Sequence, residues 1–115
     1  KNNGAYYNNQ RIRVSKKKNL NECLFATGGK EKTEYNLNVR KSGSAALDMA
    51  YVGAGRYDGY FQKNLSIWDI AAGIIIIKEA GGKINNIDHN NSDVVKVLTG
   101  SNSIYDKMLE KLTNF

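Results

Sequence analysis

Apolar and polar positions alternate through Arg11-Ile12-Arg13-Val14-Ser15, the period-two pattern of a strand with one buried face. Asn8-Asn9 just before it predicts a turn, because Asn tolerates φ > 0. Cys23 to Thr27 reads as a short apolar strand stopped by Gly28-Gly29, Lys30 to Asn38 as a polar exposed loop, and Val39 to Lys41 as a brief strand. The period then changes. From Gly43-Ser44 onward, Ala45, Ala46, Leu47, Met49, Ala50 and Val52 recur at helical spacing. Ser44 is suited to N-cap this helix, and the glycines of Gly53–Gly55 are suited to end it. Arg56 to Phe61 reads as a strand with aromatic alternation.

The most apolar run, Ile70 to Ile77, contains four consecutive isoleucines. Such a β-branched run also suits a buried strand. Three features favour a helix over Asp69 to Ala80: Asp69 as an N-cap, the helix-forming Ala71-Ala72, and an apolar pattern that continues to Gly81-Gly82. A helix apolar all round predicts burial on more than one side. Lys83–Ile87 and Val94–Thr99 are expected strands joined by a polar turn over Asp88–Asp93. Ser103 to Leu112 is an expected amphipathic helix with Ile104, Met108 and Leu112 on one face. The alternation of elements predicts an α/β, or layered α+β, class with a mixed β-sheet and flanking helices.

A length of 115 residues suits one domain, here taken as residues 1–115, and that is long enough to bury a core. The hydrophobic fraction of 41% argues against disorder. No apolar run reaches the length needed to span a membrane. The start at Lys1 rather than Met, followed by the loop-like Asn2-Asn3-Gly4, suggests a piece cut from a longer protein. Cys23 is the single cysteine, so no intrachain disulfide can form, and a reducing, cytoplasmic setting fits. The net charge of +6 raises a nucleic-acid partner, but the lysines are dispersed apart from Lys16-Lys17-Lys18, with no aromatic stacking pattern between them.

Two places could carry chemistry. Asp69 is either only a helix cap or a ligand for a hard cation such as Mg2+, which prefers carboxylate oxygen. Gly43-Ser44-Ala45 is either a tight helix entry or a cradle for an oxygen-rich ligand at a helix N-terminus, with Arg40 as a candidate for added charge-assisted bonds. Gly53, Gly55 and Gly59 lack the spacing of a dinucleotide loop. His89 stands alone in a polar turn. Cys23 reads as a core residue, and the tyrosines read as packing.

These stretches, in this order, resemble the C-terminal half of the inositol monophosphatase family. The resemblance runs through Gly4-Ala5, Asn8 and Arg11-Ile12, then Ala26-Thr27-Gly28, then Arg40 with Gly43-Ser44-Ala45-Ala46-Leu47-Asp48. It continues with Ala54-Gly55-Arg56, Asp58-Gly59, Trp68-Asp69 with Ala71-Ala72-Gly73, and Glu79-Ala80-Gly81-Gly82. It implies half of an α/β/α/β/α sandwich belonging to a magnesium-dependent, lithium-sensitive phosphomonoesterase, a homodimer when intact, acting on inositol phosphate or a related sugar phosphate. It implies that Asp69 is a metal ligand near the substrate, and that Gly43, Ser44 and Ala45 contact the polyol ring. Related phosphatases of fructose bisphosphate or nucleotide bisphosphates share the Trp-Asp stretch. Some bacterial relatives are implied to be non-enzymatic partners of RNA or the transcription machinery.

The chain departs from the family in three ways. The acidic Asp-Pro-Ile/Leu-Asp-Gly-Thr motif and its upstream Glu are missing; the sequence has no proline at all. This chain alone is therefore expected to be inactive. Gln62 stands where the family carries a Glu that binds a substrate hydroxyl. The Lys30–Asn38 link is shorter than the family's, which carries a helix. Asn9, where the family has Gly, is benign.

Overall fold

A computed structural model describes residues 4–28, 37–41, 43–85 and 94–112. The expected loop over Lys30–Asn38, apart from its last two residues, lies outside these, as do the Asp88–Asp93 turn with His89 and the end of the strand expected to reach Ile87.

The chain opens with a hairpin of β1 (Ala5–Tyr7) and β2 (Gln10–Ile12). Its two-residue loop places Asn8 at φ 52° and Asn9 at φ 65°, the positive pair that a tight hairpin turn needs. The strand expected to run to Ser15 stops at Ile12. Beyond it the chain leaves the hairpin, and Val14 N–H instead donates to Ala80 O at 3.1 Å. A 3-10 turn (Leu20–Glu22) leads into β3 (Phe25–Thr27), followed by β4 (Val39–Lys41), α1 (Ala45–Gly53), β5 (Gly59–Ser66), α2 (Ile67–Glu79), β6 (Lys83–Ile84), β7 (Val94–Gly100) and α3 (Tyr105–Lys111). The main sheet has the order β4-β3-β5-β7-β6, with β4, β3 and β5 mutually parallel, β7 antiparallel to β5, and β6 antiparallel to β7. It is the mixed sheet with flanking helices that the alternation predicted.

Side-chain alternation splits the core into two layers. Ala26, Tyr60, Val95 and Val97 join Met49, Val52, Ile70 and Ile77 beneath α1 and α2. Phe25, Phe61 and Leu98 join Cys23, Ile104, Met108 and Leu112 beneath α3. Both helices over the first layer end on glycine as predicted. Gly55 (φ 79°) and Gly81 (φ 93°) are left-handed. Arg56 N–H returns to Tyr51 O and Gly82 N–H to Ile77 O, both at 2.9 Å, which is the paired closure of a Schellman motif.

Three expectations are corrected. β5 begins at Gly59 and runs to Ser66 rather than covering Arg56–Phe61. Arg56–Asp58 is the link out of α1, and the polar residues after Phe61 remain in the sheet because they pair with β7, with a register shift between Gln62 and Leu65. Asn64 takes φ 60° in that bulge. α2 begins at Ile67, and its N-cap is Ser66, whose Oγ accepts from Trp68 N–H at 3.3 Å. Asp69 is thus in the first turn and is not the cap. The isoleucine helix is also not buried all round. Ile70 and Ile77 are enclosed, but Ile75 is 63% exposed, because the described chain places no element over that side. No helix among the described residues is long and apolar enough to cross a membrane.

Candidate functional site

The topology brings two helix starts to one edge of the sheet. β4 and β5 run parallel on either side of β3. α1 follows the C-terminal end of β4, and α2 follows that of β5 directly. Both N-termini therefore open at the carboxyl ends of the parallel strands, where ligands collect in open α/β sheets. The helices lie together because Gly73 lets α2 approach Met49: a Cβ at Gly73 would sit 2.9 Å from both Met49 Cβ and Sδ.

Between the two helix starts lies a cleft of about 440 Å³ lined by Gly43, Ser44, Ala45, Ala46, Gln62, Asn64, Leu65, Ser66 and Asp69. All five residues singled out in the sequence (Gly43, Ser44, Ala45, Gln62 and Asp69) border it. Gly43 has φ 85°, a conformation that favours glycine, and it turns the chain into α1. Ser44 caps α1, its Oγ accepting from Leu47 N–H at 3.2 Å. The amides of Ala45 and Ala46 have no partner within the helix and border the cleft. Asp69 is exposed on the first turn of α2, where the positive helix end favours a carboxylate.

Gln62 is held more tightly. It lies two residues beyond the buried Tyr60 on the same face of β5, and the Tyr60 hydroxyl donates to its Oε1. Its amide rests over the end of β3, where a Cβ on Gly28 would run into Oε1 and come within 2.9 Å of Cδ.

Arg40 is not part of this cleft. It borders a separate depression with Glu22, Cys23, Leu24, Asn38 and Val39, at the strand beginnings rather than the strand ends. The sequence reading also missed two things. Asn64 and Ser66 belong to the cleft; the signal was the Asn in a polar interruption of a strand and the Ser one residue before the helix. Asp58 is 1% exposed. Its Oδ2 accepts from Leu24 N–H at 2.7 Å and pairs with Lys17 Nζ at 3.5 Å, so it ties the start of β5 to the start of β3. Beside it Cys23 is buried as expected, and burial, followed by the Asp58 charge, pushes its thiol up to about 11.

The profile of the inositol monophosphatase family matches residues 1–114. The chain belongs to that family. An inositol-1-monophosphatase of Caulobacter vibrioides is 36% identical over 121 residues, an alignment covering 90% of this chain and 47% of that protein. A fructose-1,6-bisphosphatase/inositol-1-monophosphatase of Thermotoga maritima is 40% identical, covering 96% and 47% respectively. A Nus factor SuhB of Xylella fastidiosa is 38% identical over 70% of this chain and 35% of its own length. Among solved structures, the inositol monophosphatase from Anabaena superposes with a TM-score of 0.82 at 33% identity, over 97% of this chain and 53% of that one. The chain thus spans about half the length of the curated relatives it matches.

A hard cation fits the cleft's donors only in part. Asp69 is its one carboxylate, beside hydroxyl and amide oxygens, and magnesium accepts one or two carboxylates together with water and substrate phosphate. Among the described residues no three Asp, Glu, His or Cys side chains are grouped to hold a metal.

Proposed function

We propose that this chain forms one wall of the active site of a magnesium-dependent phosphomonoesterase that releases phosphate from inositol phosphate or a related sugar phosphate. The observation that carries this reading is Asp69 at a polar cleft where two helix N-termini meet. Asp69 would hold one side of a Mg2+ ion. Bound there, magnesium supplies positive charge for the phosphoryl oxygens and an acidified water. The first-turn amides of α1, with the Ser44 hydroxyl, orient the substrate's oxygens beside it. The remaining carboxylates come from polypeptide outside these 115 residues, in the same protein or in a partner copy of a homodimer. The names of the Caulobacter and Thermotoga relatives support the substrate class.

The test is Asp69→Asn in the intact protein. Ser66, not Asp69, caps α2, so the variant loses only an exposed charge–dipole contribution of about 0.3–1 kcal/mol. Phosphate release should fall by orders of magnitude while the melting temperature barely moves, and raised magnesium should recover part of the rate. Full activity at ordinary magnesium would remove Asp69 from the mechanism.

The SuhB-named relatives and the net charge of +6 favour one second reading, a partner of RNA or the transcription machinery. Binding to RNA that weakens steeply with salt, in a protein releasing no phosphate from any sugar phosphate, would establish it over the first.

A further inference from the structure

We propose that Gln62, pinned by Tyr60 over Gly28, is a specificity-determining residue that presents a neutral amide donor to the substrate. It would thereby select a sugar or polyol phosphate carrying a second anionic oxygen group over one offering only hydroxyls at that place. This rests on the phosphatase reading of the same cleft.

The derivation starts from the strand. Tyr60 and Gln62 share one face of β5. Tyr60 is fully buried, so its hydroxyl is fixed, and it donates to Gln62 Oε1. That engages the acceptor end of the amide. The donor end, Nε2, is the hydrogen-bonding capacity left to a side chain that borders the cleft. Gly28 lets the amide lie flat against β3, since any side chain there would meet Oε1. The pinning therefore has support on two sides.

The neighbouring groups point the same way. Asn64, left-handed in the bulge, adds a second neutral amide to the lining. Asp69 is the only ionisable group among the lining residues. A carboxylate at position 62 would accept from a hydroxyl and repel a phosphate or carboxylate. An amide donates to those anions without repulsion. Discrimination between such substrates comes as much from the repulsion removed as from the bond made.

The probes are fructose 1,6-bisphosphate, carrying a second phosphate, and inositol 1-phosphate, carrying only hydroxyls. The intact protein is assayed for kcat/KM on both. Wild type should prefer the bisphosphate, and Gln62→Glu should move the ratio about tenfold towards inositol phosphate, the difference between a neutral and a charge-assisted hydrogen bond. Tyr60 can still donate to a carboxylate, so that variant keeps its support. Gln62→Met, which removes the donor without adding charge, should weaken the bisphosphate preference. Tyr60→Phe should raise KM for the bisphosphate while holding kcat, as a positioning role requires. A wild-type preference for inositol phosphate, or a ratio unmoved by both Gln62 variants, overturns the inference. Should neither compound be hydrolysed, the phosphatase reading fails, and calorimetric affinities for the two compounds with and without Gln62→Glu decide the binding preference alone, by the same criterion.

Discussion

Cys23 and Asp58 show how a single position acquires a property that its neighbours in sequence do not suggest. Asp58 lies between an aromatic and a glycine, yet it is buried, accepts from Leu24 N–H and pairs with Lys17. Its charge, added to burial, helps to keep the Cys23 thiol protonated up to about pH 11. In the unfolded chain the thiol titrates near its ordinary value of 9.0. Between those two values the unfolded state loses a proton that the folded state retains, so folding stability falls as pH rises through that window. The loss should reach about 2–3 kcal/mol by the upper end. Denaturant melts of wild type and Cys23→Ala between pH 8 and pH 11 should diverge in slope, the variant lacking this component. Parallel curves would mean that the thiol is not held protonated by the fold.

At the scale of elements, the contact between α1 and α2 decides whether the cleft exists. Each helix is specified locally, by Ser44 or Ser66 at its start and by Gly55 or Gly81 at its end. Their mutual distance is set by Gly73 against Met49 and by Gly53 against Ile76. The Met49 Cβ cannot move without its backbone, so a side chain at Gly73 must push the helices apart. Gly73→Val should cost about 1–3 kcal/mol, as overpacking does. In the intact protein it should also weaken substrate binding by shifting Ser44 relative to Asp69. Chemical denaturation reads the first effect and KM the second; an unchanged midpoint would show that the layer yields more easily than the contact implies.

For the whole molecule, the chain's outer face matters as much as its core. Leu47, Trp68 and Ile75 are 44%, 79% and 63% exposed, and all three belong to α1 and α2. The chain brings one carboxylate to its cleft, and a single carboxylate cannot hold a catalytic metal pair. These 115 residues by themselves should therefore release no phosphate from inositol phosphate at millimolar magnesium. Trp68, the sole tryptophan, should emit like solvent-exposed indole in the isolated chain and shift to the blue when another polypeptide layer covers α2. Robust turnover by the isolated chain would overturn the view of the cleft as one wall of a larger site.

Local chemistry made much of this legible in the sequence. The Asn8-Asn9 turn, the Ser44 cap, the glycine helix ends and the inward face of Ile104, Met108 and Leu112 follow from backbone preferences and side-chain period. The isoleucine helix followed once Ala71-Ala72 and Gly81-Gly82 were weighed against β-branching. Family resemblance, rather than periodicity, pointed to Asp69, Gln62 and Gly43–Ala45 as candidates. Only the tertiary structure decided what is non-local. β5 runs past Phe61 because β7 supplies partners for polar residues that look like a loop. Ser66 rather than Asp69 caps α2 because the strand ends directly in the helix. Arg40 lies away from the cleft because it belongs to the beginnings of the parallel strands, whereas two helix starts from separate crossovers converge at their ends. The orientation of Gln62 is decided by a buried hydroxyl two residues back and a glycine on the adjacent strand. Hydrogen-bond direction across strands has no period in the chain, so it becomes readable only when the sheet is assembled.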